Sequence, residues 1–409
     1  MPFSEFWDFL VSLLNNPAIK LFSYVVSPIL ALISFVYARR DRRELRGTTS
    51  QLTLSAARYG SAKTEVRAKQ ELLDQARADL QKQQVELLEE QTNVQQLRAE
   101  LQGITAGASE LWKLRPAQPF HEYKAWLNRP KGARIVTFGN LKGGVGKTTL
   151  AANFAAYVSE ELKKPVLIVD LDYQGSLTNM LMLASEKEVV SSLVDSLFDE
   201  NADLSTLERS KVHLVPTLTQ AWLTPASFSL AQLENRLLLR WLLNDAGPID
   251  VRYRLAHLLL NPDLRESFAA IVIDTPPRMS LATINALVAS HHFVVPTTLD
   301  ALGVRAIPQF VANMQSIKRE LDLDLELAGI VGMMSRQAVL SQRERGLWDD
   351  AGDGARAWSK DQDFRFATTI PRRSQISDSA GDSIAYLATP EIKTIFEPLF
   401  IDIARKIGL

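Results

Sequence analysis

The chain has 409 residues, of which 46% are apolar, and its formal net charge is −1. This length allows at least one large core and two or three domains. The charge balance gives no argument for a nucleic-acid or strongly acidic partner. Cysteine is absent, which excludes disulfides, thiolate metal sites and cysteine nucleophiles.

Residues 21–38 form an uncharged apolar run of 18 residues, and four arginines follow within residues 39–43. As a helix the run would span about 27 Å, close to the hydrocarbon thickness of a bilayer. The arginines favour a cytoplasmic C-terminal side. We therefore predict a single-pass helix in a bacterial inner membrane, preceded by an amphipathic or flanking helix over residues 1–20. A core or partner-binding helix is the alternative; a signal peptide would carry its charge before the apolar run.

A second segment, residues 59–103, has apolar residues at a strict seven-residue interval. They are Tyr59, Val66, Leu73, Leu80, Leu87, Val94 and Leu101. This heptad predicts a long helix that self-associates as a coiled coil. The second seam is poor, because it includes Lys69, Gln83 and Glu90, so a single solvated helix is the alternative.

Residues 104–132 contain three prolines and are predicted to be a linker. From Ala133 to the end of the chain, β-type apolar runs alternate with helical patterns. Strands are predicted at 134–138, 165–169, 269–273, 292–296 and 327–332, and helices at 148–162, 228–243, 281–290 and 304–320. This alternation predicts an α/β domain over 133–409, with a mainly parallel sheet and helices on both faces. Ligands of such sheets lie at the carboxyl ends of the strands.

A glycine-rich loop joins the first predicted strand of this domain to its first helix. Residues 139–149 have the sequence GNLKGGVGKTT, and strand, loop and helix in this order form a phosphate-binding context. The predicted nucleotide-binding residues are Gly143, Gly144, Val145, Gly146, Lys147, Thr148 and Thr149. Backbone N–H groups would face the phosphates, Lys147 would neutralise the β- and γ-phosphates, and the Thr148 hydroxyl would ligate Mg²⁺.

Carboxylates follow two further predicted strands. Asp170 and Asp172 come after strand 165–169, and residues i and i+2 of an extended chain point the same way. Beside a Mg²⁺-nucleotide, one carboxylate could orient the attacking water and the other could support the metal shell. Asp274 follows strand 269–273 and is a candidate Walker B carboxylate, which would hold Mg²⁺ through its water shell.

Four ordered motifs resemble those of the ParA/MinD family of deviant Walker A P-loop ATPases, which belongs to the SIMIBI class. They are K-G-G-x-G-K-T-T at 142–149, D-x-D-x-Q-G at 170–175, D-x-P-P at 274–277 and I-P-R at 370–372. The second and third are similar to the family's switch I and switch II. Tyr173 stands where switch I usually has proline. The family's base-contacting asparagine has no clear counterpart between residues 331 and 370.

The resemblance implies specific roles for single residues. Lys142 would reach across a dimer to the partner's nucleotide, Asp172 would activate water with Asp170 in support, and Pro371 and Arg372 would line the adenine pocket. Together with the membrane helix predicted over residues 21–38, the resemblance implies a membrane-anchored ATPase that would hydrolyse ATP to ADP and phosphate slowly, under stimulation by a partner. ATP would drive dimerisation of the α/β domains, and this switch would position or regulate an unidentified protein partner.

Two other classes of protein share some of these features. A bacterial tyrosine autokinase shares the deviant loop, but it carries two membrane spans and a C-terminal tyrosine cluster, whereas only Tyr386 follows Tyr253 here. A non-hydrolysing scaffold would use ATP as a structural ligand, and the intact Asp172 and Asp274 argue against it. Nucleic-acid binding is not favoured, because the candidate arginines have acidic neighbours; these are Arg336, Arg343, Arg345, Arg372 and Arg373. The five histidines lack metal-ligand spacing, and the adjacent His291 and His292 are interpreted as structural.

Overall fold

The computed structural model describes residues 52–105, 115–188, 193–337, 339–379 and 381–409, together with Ile29 and Leu32. The predicted membrane helix over 21–38 and the helix before it therefore lie outside the described residues, apart from those two positions. Within the described ranges, no helix combines the length and the apolar character that a bilayer crossing requires. The chain divides into two compact units, Met1–Thr92 and Asn93–Leu409.

Helix α1, Leu52–Thr105, has 54 residues and confirms the predicted long helix. It begins seven residues before the heptad pattern. Three of the heptad leucines are exposed to solvent, with Leu73 at 59%, Leu80 at 42% and Leu87 at 57%. Pairing of this stripe with a second helix stays a prediction.

The second unit is built on one eight-stranded sheet. Its strands are β1 Arg134–Phe138, β2 Val166–Asp170, β3 Val212–His213, β4 Ala221–Thr224, β5 Ala270–Asp274, β6 His292–Thr298, β7 Glu326–Ser335 and β8 Ile370–Pro371. The spatial order is β3-β4-β2-β5-β1-β6-β7-β8. Only the edge pair β3–β4 is antiparallel, and the other pairs are parallel. This confirms the mainly parallel sheet.

Helices cover both faces of the sheet, as predicted. They are α2 Tyr123–Leu127, α3 Lys147–Glu160, α4 Ser176–Ala184, α5 Leu204–Ser210, α6 Ser229–Leu242, α7 Arg254–Leu259, α8 Pro262–Ser267, α9 Leu281–Ala289, α10 Ala301–Glu320, α11 Gln342–Ala355, α12 Ser374–Asp378, α13 Ala385–Ala388 and α14 Pro390–Ile407. Ile135 and Leu167 lie in one core cluster. The next residues along each strand, Val136 and Ile168, lie in the other. Alternate strand side chains thus enter two cores, as expected for a sheet buried on both sides.

The linker predicted over 104–132 is wrong for residues 115–132, which are folded into this second unit. Tyr123 and Leu127 of α2 are buried in the core. The buried Arg252 guanidinium donates to the carbonyl oxygens of Arg115 and Pro116 at 3.0 and 2.8 Å. The α/β unit therefore includes the chain from residue 115 onward, not only from 133.

Candidate active site

The glycine-rich loop connects β1 to α3 at the carboxyl edge of the sheet. Gly144 and Gly146 have φ angles of +71° and +91°, which favour glycine. A Cβ on Gly146 would lie 2.8 Å from the Cε of Met333 on β7, but that flexible side chain could move aside, so the positive φ is what favours glycine there. Gly146 precedes the first turn of α3 and offers no side-chain cap. The backbone N–H groups of that turn thus remain available to an anion.

Lys147 is the first residue of α3, where the loop ends, and is only 7% exposed. Its Nζ donates to the carbonyl oxygen of Lys142 at 3.3 Å. Burial lowers the pKa of Lys147, while the charges of Asp274 and Asp172 act to raise it. Burial destabilises the charged form of the Lys147 ammonium, so an anion bound nearby would stabilise that form. This is the environment expected of the predicted phosphate ligand.

Asp274, at the end of β5, meets Thr148 on the first turn of α3. One carboxylate oxygen, Oδ2, accepts the Thr148 hydroxyl at 2.7 Å. The other, Oδ1, is buried and has no hydrogen-bond partner in the described part of the chain. Burial, and next the charge of Asp170, raise the pKa of Asp274. A buried carboxylate oxygen without a donor beside a hydroxyl matches the oxygen donors that Mg²⁺ takes, so these residues fit the predicted metal.

Asp170 and Asp172 have different environments although they share one motif. Asp170 is fully buried and accepts the N–H and the hydroxyl of Thr178, at 2.9 and 2.7 Å, as well as the N–H of Asp172. Asp172 is 9% exposed and accepts the N–H of Gln174 at 3.1 Å. Burial raises the pKa of Asp170, which those hydrogen bonds only partly oppose. Asp170 thus stabilises the start of α4 through its hydrogen bonds, whereas Asp172 lies nearer to solvent.

Lys142 is held by the junction of β6 and α10. Its Nζ donates to Thr298 Oγ1 at 3.1 Å and to Asp300 Oδ1 at 3.1 Å. Its N–H is bound by the Asn140 side chain. Burial acts to raise the pKa of Asp300, but donation from Thr298, Gly303 and Lys142 outweighs it and holds the pKa at about 2. Neither partner of Lys142 was predicted from the sequence, although an aspartate before a helical run is a usual N-cap signal.

The two predicted base-pocket residues lie on and beside β8. Pro371 pairs with Ser335 of β7, and the N–H of Arg372 donates to the Ser335 carbonyl at 2.8 Å. Met333, two residues earlier on β7, contacts the position of Gly146. The parallel pairing therefore brings β8 to the edge of the sheet that carries the loop. Pro371 is buried and Arg372 is exposed; their contact with a base stays a prediction.

His291 confirms the structural interpretation of at least one histidine. Its Nδ1 accepts the Ile135 N–H at 3.1 Å, and its Nε2 lies 3.0 Å from the Leu127 carbonyl oxygen. Burial lowers its pKa to about 3, so the ring is neutral and donates through Nε2. Across the described residues, no group of three or more His, Cys, Asp or Glu is arranged to hold a metal ion.

A parallel α/β domain with a glycine-rich loop, a buried lysine and a Thr148–Asp274 pair is a P-loop nucleotide-binding domain. An AAA domain family model matches residues 133–327. The chain is 30% identical to the chromosome-partitioning ATPase Soj of Thermus thermophilus, across 62% of this chain and 87% of that protein. It is 27% identical to the sporulation initiation inhibitor protein Soj of Bacillus subtilis, across 60% of this chain and 87% of that protein. The chain belongs to the ParA/Soj family of P-loop ATPases.

Two solved structures agree with this fold. Apo McdA of Cyanothece has a TM-score of 0.55 at 20% identity, and the match covers 68% of this chain and 100% of McdA. Cobyrinic acid a,c-diamide synthase from Mycobacterium smegmatis, with bound ATP analog and magnesium, has a TM-score of 0.51 at 26% identity. That match covers 68% of this chain and 97% of the synthase.

Proposed function

We propose that this chain is a membrane-anchored, Mg²⁺-dependent ATPase in which ATP drives dimerisation of the α/β domains. The observation that carries the proposal is the convergence of Lys147, Thr148, Asp172 and Asp274 at the carboxyl edge of β1, β2 and β5. Lys147 and Thr148 belong to the glycine-rich sequence at 139–149. Asp172 follows β2, and Asp274 is the last residue of β5. Parallel sheets bind ligands at this edge.

The Thr148 hydroxyl and, through water, the Asp274 carboxylate would hold Mg²⁺. The metal would supply neutralisation of the charge on the phosphate oxygens. Binding of Mg²⁺ would also stabilise the negative charge of the buried Asp274 carboxylate, whose Oδ1 accepts no hydrogen bond from the described residues. An ATP analog and magnesium are bound in the synthase structure described above, which supports the same ligands here.

Phosphoryl transfer needs positioning and charge neutralisation more than covalent chemistry. The loop N–H groups and Lys147 would bind the β- and γ-phosphates. Asp172 would orient the attacking water and accept its proton. Asp170 would act indirectly, because its two oxygens are occupied by Thr178 and the Asp172 N–H. We assign it to holding the strand end and the start of α4, rather than to contact with the water.

Dimerisation would place Lys142 against the partner's nucleotide, as the family resemblance implies. The Lys142 side chain is 29% exposed, so it can leave its present contacts without unfolding a core. The uncharged run at 21–38 and the heptad stripe of α1 support a membrane anchor and coiled-coil pairing. The switch would then position or regulate an unidentified partner protein at the inner membrane, with the ATPase domain on the cytoplasmic side.

Nucleotide binding and turnover by the full-length protein test this proposal. Wild type should bind ATP saturably in the presence of Mg²⁺ and hydrolyse it. Lys147→Ala should abolish binding, because the phosphates lose their main counterion. Lys163→Ala is the matched control, since Lys163 pairs with Glu160 near the other end of α3 and is 67% exposed. Failure of wild type to bind ATP would refute the proposal, whereas binding without turnover in any condition would leave only the scaffold function.

A further inference from the structure

Switch I and switch II, defined here as residues 170–176 and 274–280, are joined by two side chains that the family motifs do not specify. The guanidinium of Arg278 lies over the ring of Tyr173, with Cζ 4.8 Å from the ring centroid. A cation over an aromatic face at this distance is attracted by the ring quadrupole. Tyr173 directly follows Asp172, so the contact acts on the backbone that carries the proposed water-orienting residue.

Arg278 is itself fixed by Glu234 of α6. Its Nη2 donates to Glu234 Oε2 at 2.6 Å. The other oxygen of Glu234 accepts the N–H of Ala282, in the first turn of α9, at 2.8 Å. Glu234 is only 8% exposed, so this charged hydrogen bond is shielded from solvent on the carboxylate side. Arg278 therefore has little freedom to leave the Tyr173 ring.

The Tyr173 ring has a second contact, which involves Phe228 just before α6. The two ring centroids lie 6.1 Å apart at an interplanar angle of 76°, an edge-to-face arrangement that aromatic pairs favour. Tyr173 thus contacts Phe228, the residue before α6, and is connected to α6 itself through Arg278 and Glu234. These contacts tie its position to the helix and to switch II.

We propose that Arg278 is a positioning residue, which holds switch I through Tyr173 and thereby orients Asp172. The family's usual proline at this position restricts φ covalently, whereas a tyrosine leaves φ free. In this chain the cation–π contact and the Phe228 contact would replace that restriction. This inference rests on the proposed ATPase function and assigns the residues that hold switch I in position.

Loss of Arg278 should reduce kcat and leave ATP affinity nearly unchanged. The phosphate ligands lie in residues 142–149 and do not depend on Tyr173, whereas a displaced Asp172 no longer aligns the water. A displacement of about 1 Å costs up to about 100-fold in rate, so we expect Arg278→Ala to lower kcat by about 10- to 100-fold. Arg278→Lys should restore part of the rate, because it keeps a cation over the ring.

The experiment is a double-mutant cycle in the full-length protein, with kcat and the ATP dissociation constant measured for every variant. Arg278→Ala is combined with Tyr173→Pro, which restores the covalent restriction of φ. If the two side chains act together, Arg278→Ala should cost far less in the Tyr173→Pro protein than in wild type. The matched control is Arg240→Ala, since Arg240 pairs with Asp245 at the far end of α6 and has a similar exposure of 42%, against 47% for Arg278.

A wild type that does not hydrolyse ATP would refute the proposed function. A wild type that hydrolyses ATP beside an Arg278→Ala protein of unchanged kcat would refute only this inference. Equal losses of kcat from Arg278→Ala in the wild-type and Tyr173→Pro backgrounds would refute it as well. If Arg278→Ala does not fold, Tyr173→Leu removes the aromatic face without disturbing the Arg278–Glu234 pair. The same fall in kcat is then expected, and an unchanged kcat would count against the inference.

Discussion

Lys142 and Asp300 form an ion pair within one chain, with Nζ 3.1 Å from Oδ1. The proposed function requires Lys142 to reach the nucleotide of a partner subunit. The two arrangements exclude each other, because one ammonium cannot occupy both places. In the proposed function, the intramolecular pair would therefore compete with ATP-dependent dimerisation, and Asp300 would set part of the free-energy cost of dimerisation.

Asp300→Asn should tighten the ATP-dependent dimer. The substitution removes the competing charge, while asparagine keeps the N-cap of α10, where Asp300 accepts the Gly303 N–H at 2.8 Å. Because Asp300 is 52% exposed, each pair contributes only about 0.2–1 kcal/mol. A symmetric dimer would break two such pairs, one in each subunit, so we expect the dimer dissociation constant to fall by about 2- to 30-fold. Sedimentation velocity with ATP measures this constant. A weaker dimer in Asp300→Asn would show that the pair does not compete.

Lys142→Ala should leave ATP binding by the monomer largely intact and prevent ATP-dependent dimerisation. The loop N–H groups, Lys147 and Thr148 remain to bind the nucleotide, whereas the charge that would cross to the partner is lost. Equilibrium ATP titration and light scattering on the same preparation separate the two effects. Lys142→Ala that still dimerises with ATP would contradict the proposed role of Lys142 across the interface.

Asp172→Ala should trap the ATP-bound dimer. Loss of a positioned general base costs on the order of 10² to 10⁴ in rate, while the phosphate and Mg²⁺ ligands stay in place. ATP turnover and dimer fraction are measured side by side, with the required partner present. A variant unable to bind ATP would instead make Asp172 a structural residue, and unchanged turnover would move the catalytic role elsewhere.

Removal of residues 115–132 should destabilise the α/β unit. A chain that begins at residue 133 loses the burial of Tyr123 and Leu127, which are 1% and 2% exposed, and each such side chain contributes about 1.5–3 kcal/mol. It also leaves the buried guanidinium of Arg252 without the carbonyl oxygens of Arg115 and Pro116. Urea unfolding of the chains 115–409 and 133–409 measures the difference between their free energies of unfolding. Equal midpoints and equal slopes would show that the segment adds no stability.

Deletion of residues 1–43 should convert a membrane-pelleting protein into one that stays in the supernatant and still binds ATP. The deleted part contains the uncharged run at 21–38 and its arginine flank, which together predict the anchor. Fractionation of cells that express each chain, followed by ATP binding, measures both properties. Full-length protein that remains in the supernatant without detergent would remove the anchor from the proposed function.

The sequence by itself determined the strands and helices that surround the loop, as well as the loop residues. Strand β1 coincides with its predicted bounds, and α3 differs by one residue at its start and two at its end. Hydrophobic periodicity and a contiguous glycine-lysine motif are local signals, so one sequence is enough to detect them. The short strands β3, β4 and β8 were not predicted, because runs of two to four residues carry too little periodicity.

Only the tertiary structure decided which distant side chains share the site. Asp300 lies 158 positions from Lys142, and no local pattern connects them. The folded state of residues 115–132 also depends on partners far along the chain, since Arg252 reaches Pro116 across 136 positions. The prolines in that segment predicted a linker, and the local sequence does not show the buried contacts that the segment makes with distant residues. The order of strands in the sheet brings these distant residues into contact. That order follows from packing in both cores rather than from any single segment.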